Sequence, residues 1–269
     1  MSVGDWLDER TGYRAALRAA EAPMPGGPSV LRTLGPVLGF LFVLELVTGL
    51  VMAMYYSPST NDAWASVAYL EDQVAMGAFV RGLHRWGMSA IVLVIGMHLV
   101  VTAVSGAYRR PREVVWWLGV LLFVMALAFS VTGFVLRWDQ YGYWATKVEL
   151  AYIIEGPGPG RQMVAALQGG NDFGNLTLTR FYALHVALLP VLTGLLVWGH
   201  RRLSRRHGPH APAGAKARGR GWPDQTVRNL AAMLVTLVAL FAWTAHRGGA
   251  GLEAPADSTS IFDARPQWY

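Results

Sequence analysis

Five apolar runs long enough to cross a bilayer constrain this chain more than any other feature. They fall at about 34–56, 88–104, 114–136, 181–197 and 231–243. A transmembrane helix needs about 20 predominantly apolar residues. Backbone in hydrocarbon must also satisfy its own hydrogen bonds, so each run predicts a helix. The second and fourth runs extend toward their N-terminal ends, which brings His84 and Arg180 near a membrane surface. Composition agrees: 53% of residues are hydrophobic and only 15% are charged, where soluble domains carry about 25%. A polar, amphipathic helix is expected over 5–20, broken from the first span by Pro25, Gly26, Gly27 and Pro28. Met1 to Arg18 mixes acidic and basic residues, so no cleavable signal peptide is expected. The fold class is therefore an all-α integral membrane protein, a four-helix transmembrane bundle followed by a fifth transmembrane helix. The expected organisation is a polar N-terminal segment (1–32), the bundle (33–200), a basic linker (201–226), and the fifth helix with its tail (227–269).

The net charge of +6 would suit nucleic acid, but in a membrane protein basic residues first report orientation. Arg10, Arg14, Arg18 and Arg32 precede the first span, and Arg109, Arg110 and Arg112 join the second and third. Arg201, Arg202, Arg205, Arg206, Lys216, Arg218, Arg220 and Arg228 join the fourth and fifth. The loop 57–78, on the opposite side, has no Lys or Arg. The positive-inside rule puts the N-terminus in the cytoplasm and the last residues opposite, and no nucleic-acid partner is expected. The linker, rich in Gly, Pro, Ala and Arg, predicts a mobile joint.

The second span carries His84 and His98, fourteen residues apart, and the fourth carries His185 and His200, fifteen apart. Fourteen residues turn an α-helix almost four times over about 21 Å, so each pair lies near one face. The two spans run the same way, which places His84 level with His185 and His98 level with His200. Ionisable groups inside a membrane are costly and are functional candidates. Two such histidines on facing helices of a bundle can supply both axial nitrogens to one haem iron. A histidine bonded only to a backbone carbonyl is the plain reading for one residue; two matched pairs favour two haems. With no cysteine in the chain, any haem is non-covalent. His207, His210 and His246 lie in the linker or past a span and read as solvated residues.

Glycine supplies an independent check. Gly35 and Gly49 in the first span, and Gly119 and Gly133 in the third, are each fourteen residues apart. Those spans run opposite to the histidine helices, so Gly49 and Gly133 fall at the His84/His185 level. Gly35 and Gly119 fall at the His98/His200 level. A flat macrocycle needs flanking helices without side chains where its edges pass. Glycine also serves ordinary packing between membrane helices, but two pairs in register with two histidine pairs favour clearance.

The sequence resembles the cytochrome b family of quinol:cytochrome c reductases, and most of all its split cytochrome b6 branch. The likeness covers about 5–208. It rests on Tyr55-Tyr56-Ser57-Pro58, Arg81-Gly82-Leu83-His84-Arg85-Trp86 and Arg110-Pro111-Arg112-Glu113. Val131-Thr132-Gly133-Phe134, Trp138-Asp139-Gln140, Gly142-Tyr143-Trp144-Ala145 and Thr177-Leu178-Thr179-Arg180-Phe181-Tyr182 carry it further. The fifteen-residue step from His185 to His200 is that of the b6 branch. After the linker, Trp222-Pro223-Asp224 resembles the start of the family's second half, and Pro266-Gln267-Trp268-Tyr269 resembles its Pro-Glu-Trp-Tyr motif.

What the resemblance implies is a di-haem subunit of a quinol:cytochrome c (or plastocyanin-like acceptor) oxidoreductase, working by a Q-cycle coupled to proton translocation. It implies two non-covalent haems b, with His84 and His185 on the outer iron and His98 and His200 on the inner. Quinol would be oxidised in a pocket of Trp144, Ala145, Gln267 and Tyr269, and Arg85 would meet an outer-haem propionate. Expected partners are a Rieske iron–sulfur protein, a c-type cytochrome subunit, and a polypeptide carrying the remaining helices, in a dimeric complex of the bacterial inner membrane.

Five departures stand out. Gln267 replaces a proton-accepting glutamate, with Asp139 and Asp263 the acids on that face. Arg137 replaces a proline, Val101 an inner propionate arginine, and Thr33 the cysteine of an extra c-type haem. Glu45 replaces a glutamine in the first span and is expected protonated or hydrogen-bonded near the outer haem. Trp138, Tyr141, Tyr143 and Trp144 could in part form an interfacial aromatic belt. Two other readings compete: a di-haem anchor linking a dehydrogenase to the quinone pool without bifurcation, and a non-redox transporter or scaffold. The first leaves the Trp-Asp-Gln and Pro-Gln-Trp-Tyr segments without a role, and the second needs no macrocycle-sized glycine layers.

Overall fold

In the computed structural model, which describes residues 1–170, 172–211, 214–260 and 262–263, every apolar run becomes a helix. The polar N-terminal segment forms two helices, α1 (Val3–Thr11) and α2 (Tyr13–Glu21), where one is expected. Gly12 divides them: it sits at φ 63°, where a side chain is disfavoured, and its N–H closes α1 onto the Asp8 carbonyl. A strand, β1 (Pro23–Pro25), and a 3₁₀ turn (Val30–Thr33) lead into α3 (Leu34–Ala53), the first span. A short outer helix, α4 (Ala63–Asp72), precedes the second span, α5 (Gly77–Val104), and α6 (Glu113–Val135) is the third. Helices α7 (Gln140–Glu155) and α8 (Gly160–Gln168) lie in the connection to the fourth.

The fourth span is one continuous helix with a wide turn inside it. It begins as α9 (Asn175–Ala183), passes through a π-helical turn at Leu184–Leu188, and continues as α10 (Leu189–His207). The Leu189 N–H reaches back five residues to the Leu184 carbonyl. Pro190, next in line, has no N–H to give and would crowd the carbonyl four residues back, which a wider turn relieves. The turn also absorbs one residue of helical phase. In a regular helix, fifteen residues overshoot four turns by about a sixth of a turn. With the wide turn, His185 and His200 return to one face although their spacing is one residue longer than that of His84 and His98.

The linker is tied down rather than free along its described length. Strand β2 (Ala217–Arg220) pairs antiparallel with β1. Arg112 donates to the His207 and Gly208 carbonyls, Arg32 to the Pro25 and His210 carbonyls, and the His210 ring bonds the Ser105 carbonyl. His210, still partly exposed, is therefore also a fastener between loops. A kinked π turn (Gly221–Gln225) then opens the fifth span, α11 (Thr226–Arg247).

Helix α3 packs along α5 and α10 along α6, while α11 leans on α5 and α3. Val37, Leu41, Leu83 and Leu240 form the seam that joins α11 to the bundle. A second cluster, of Ala63, Val135, Trp138, Tyr143, Leu150, Val164, Leu178 and Phe181, roofs the outer end. Trp138 and Tyr143 are buried there, so neither belongs to an interfacial belt. Large apolar side chains such as Val47, Leu93, Val100 and Trp117 point outward from the spans, as a lipid-facing surface requires.

Gln225 clamps the fifth span to the first. Its Oε1 accepts the Ser29 N–H at 2.8 Å and its Nε2 donates to the Ser29 carbonyl at 3.1 Å, one side-chain amide pairing with one backbone residue. Gln225→Leu leaves both Ser29 groups unmatched, at a cost of about 1 kcal/mol or more. The variant is expected to lower the thermal unfolding midpoint and to speed amide exchange at Ser29 before exchange in α3.

Candidate haem-binding site

A cavity of about 750 Å³ runs lengthwise through the bundle, lined by His84, His98, His185, His200, Gly35, Gly49, Gly119, Gly133 and Arg85. At its outer end, His84 of α5 and His185 in the wide turn of the fourth span face each other with ring centroids 6.1 Å apart. Two metal–imidazole bonds of about 2 Å, with half a ring added at each end, give roughly 6 Å. The pair is thus spaced to hold one metal ion between its rings. His98 and His200 line the inner part of the same cavity, where Arg201, Ser204 and Arg205 join the wall.

Hydrogen bonds decide which ring nitrogen each histidine presents. Thr132 Oγ1 gives its proton to the Ala128 carbonyl at 2.7 Å, so toward His185 Nδ1, 3.0 Å away, it can only accept. Thr48 does the same for His84: its hydroxyl donates to the Leu44 carbonyl at 2.8 Å and accepts from His84 Nδ1 at 3.0 Å. His200 Nδ1 donates to the Val115 carbonyl at 3.1 Å. In all three rings the proton sits on Nδ1 and Nε2 is left as the lone-pair nitrogen. That is the arrangement by which second partners orient a metal-binding imidazole.

The glycines face the histidines. A Cβ on Gly133 would stand 2.5 Å from His185 Cε1, and one on Gly49 would stand 3.1 Å from His84 Cε1. On Gly119 it would lie 3.6 Å from His200 Cε1, and on Gly35 it would meet nothing within 4 Å. Gly49 and Gly133 therefore make room for the imidazoles as well as for what lies between them. The cavity's run past both histidine layers, the committed Nδ1 atoms of His84, His185 and His200, and the bare helix faces fit a flat tetrapyrrole at each level.

Arg85 lines the cavity, donates to Ser89 Oγ at 2.9 Å and lies over the Trp86 and Phe134 rings. Trp144 and Ala145 do not line it. Trp144 packs on the outer cluster, as do Tyr56 and Leu136, which also line the cavity, and Ala145 is fully buried. Gln267 and Tyr269 lie outside the described residues. The chain nevertheless returns to this end after α11: Ala254 accepts the Gln140 N–H and Ala256 donates to the Trp138 carbonyl. Trp64, Trp86 and Arg81 hold the same strap through the carbonyls of Glu253, Gly249 and Gly251.

The departure at Arg137 has a structural reason. Its guanidinium pairs with Asp139, which is fully buried and also caps α7 at the Gly142 N–H and accepts the Glu253 N–H. Asp139 is thereby committed to structure. At the inner level, where Val101 brings no charge, the Arg201 guanidinium spans Gly39, 3.4 Å from where a Cβ would be. Arg201 and Arg205 carry no spacing signal in the sequence; the apolar Val101 is the sign that another cation should reach that layer. Nor does spacing mark Glu149, on α7 one turn past Ala145, whose Oε2 is buried without a hydrogen-bond partner among the described residues.

Known proteins resemble this chain in sequence and in fold. The sequence profile of the cytochrome b/b6/petB family matches residues 19–208. Cytochrome b6 of Chlamydomonas reinhardtii is 36% identical over 211 residues, covering 78% of this chain and 98% of that protein. Cytochrome b6 of Rippkaea orientalis is 36% identical over 208 residues, covering 77% and 94%. A solved structure titled hyperthermophilic respiratory Complex III shares the fold with a TM-score of 0.86 at 24% identity, covering 99% of this chain and 74% of that one. The fold and the two histidine layers define an integral membrane protein of the b-type cytochrome class. The chain belongs to the cytochrome b/b6 family, whose members are haem proteins of electron transport.

Two outcomes follow from the site. Alanine substitution is expected to reduce haem content, read as pyridine haemochrome, most at Gly133, less at Gly49, and little at Gly119 or Gly35. Equal losses at all four would contradict the clearances. Burial also pushes the Glu149 carboxyl up to about 7 from an ordinary 4.5. Its folded-state value is raised, so its contribution favours folding below about 4.5 and is lost as the pH rises through about 7. Infrared spectra should show a protonated-carboxyl band that fades through that pH and is absent from Glu149→Gln; a band unchanged by the substitution refutes the assignment.

Proposed function

We propose that the chain is the two-haem membrane subunit of a quinol-oxidising complex of the bc1/b6f type. The observation that carries this reading is the single cavity with two histidine layers, each opposed by glycine. Two haems b bound there would supply one-electron redox centres at two depths, the chemistry a Q-cycle needs to move charge across the bilayer. The chain's own residues do the rest. His84 and His185 hold the outer iron, and His98 and His200 the inner one. Thr48, Thr132 and the Val115 carbonyl fix three of those rings by their Nδ1 protons. Arg85 at the outer level, with Arg201 and Arg205 at the inner, offers guanidinium groups to the carboxylates of the macrocycles.

Quinol is oxidised, in this reading, beside the outer cluster, in a pocket of Trp144, Ala145, Gln267 and Tyr269. The strap supports it, since the residues leading to Gln267 are anchored at Trp138–Gln140, the entrance to α7. The complex includes a Rieske iron–sulfur protein, a c-type cytochrome and a polypeptide with further helices, and it is dimeric. Leu234, Val235, Val238 and Phe241 give α11 an exposed apolar face for lipid or for such helices. The basic side faces the cytoplasm of a bacterial inner membrane.

Single alanine variants test the pairing. His84→Ala and His185→Ala are each expected to remove one and the same haem, and His98→Ala and His200→Ala the other, in low-temperature absorption spectra. Loss of different haems from the first two variants would overturn the assignment.

A further inference from the structure

His84 meets a carboxylate, whereas His185 meets a hydroxyl and His200 a backbone carbonyl. Its Nδ1 lies 3.0 Å from Glu45 Oε2, and both side chains are largely withdrawn from solvent. The other carboxylate oxygen, Oε1, is buried without a hydrogen-bond partner among the described residues. It rests over Gly87, where any Cβ would collide with it, so α5 leaves a seat for this group. Thr48 shares the same Nδ1 proton as a neutral acceptor. The two rings of the outer layer are therefore held differently: His185 by the hydroxyl of Thr132, and His84 by a hydroxyl and an acid.

A carboxylate that accepts the imidazole N–H makes the opposite nitrogen a stronger donor. Stronger donation, and negative charge held in a medium of low dielectric, both favour the more highly charged state of a bound iron. A carboxyl group at mid-span is costly to place in hydrocarbon. A glutamine would fill the same space and keep an acceptor oxygen without that cost.

We propose that Glu45 is a positioning residue that lowers the reduction potential of the haem held by His84 and His185 through its bond to His84 Nδ1. The inference rests on the haem reading above and adds to it a residue that sets one of the two potentials. The test is a redox titration of the assembled complex, followed optically and by the low-spin ferric resonance signal, in unmodified and Glu45→Gln forms. Glu45→Gln is expected to keep both haems, to shift one midpoint potential upward, and to leave the other in place. Should Glu45→Gln not assemble, Glu45→Asp against Glu45→Asn makes the same comparison, with the Asn form at the higher potential. Unmoved potentials, a downward shift, equal shifts at both haems, or loss of haem from the glutamine form would each overturn the proposal. Unmodified complex without low-spin haem would instead overturn the reading beneath it.

Discussion

The whole arrangement depends on imidazole rings held by their Nδ1 protons inside a membrane bundle. A histidine in hydrocarbon is expensive unless both nitrogens are used. Threonine hydroxyls that have already spent their own protons on helix carbonyls supply one partner without adding a charge. Only the second nitrogen then faces the cavity, and the bundle is built to keep it there. Glycines at Gly49 and Gly133 let the neighbouring helices approach the rings, and the wide turn at Leu184–Leu188 brings His185 onto the face that His200 shares.

The outer end is a second unit with its own logic. Asp139 gathers a helix cap, an ion pair with Arg137 and the returning strap into one buried carboxylate. Arg81 ties Glu71 of α4 to the Gly251 carbonyl of the strap, with its own side chain nearly covered. The roof over the cavity is thus assembled from four separate stretches of chain, and charge pairing is what holds them in register. Arg137 fits that scheme, because its guanidinium neutralises the acid on which the turn is built.

Much of this was readable in the sequence, for a physical reason. Hydrocarbon forces backbone into helices, so apolar runs mark the spans to within a few residues, and helical repeat converts the spacing of His84, His98, Gly49 and Gly133 into depth. What depends on contacts between distant segments was not readable. Gly12 splits the N-terminal helix by backbone conformation alone, and nothing in the periodicity distinguishes it from a tolerated glycine. The pairing of β1 with β2 joins stretches nearly two hundred residues apart, from a linker whose composition suggested mobility. Burial of Trp138 and Tyr143 follows from α7 folding under the strap, which aromatic content cannot report.

The extra residue between His185 and His200 shows where sequence and structure inform each other. Counted along a regular helix, it turns the two rings away from a common face, and the two-level argument weakens. Pro190 resolves the difficulty, because a residue without an N–H favours the wider turn that removes the surplus phase. The unequal spacings of the two histidine helices and the proline are then one feature. Because the wide turn falls on the residues around His185 rather than midway between the ligands, the outer ring is placed by an irregular backbone and the inner ring by a regular one. The outer level is accordingly the one where ring orientation depends most on side-chain partners, and it is there that Thr132, Thr48 and Glu45 converge.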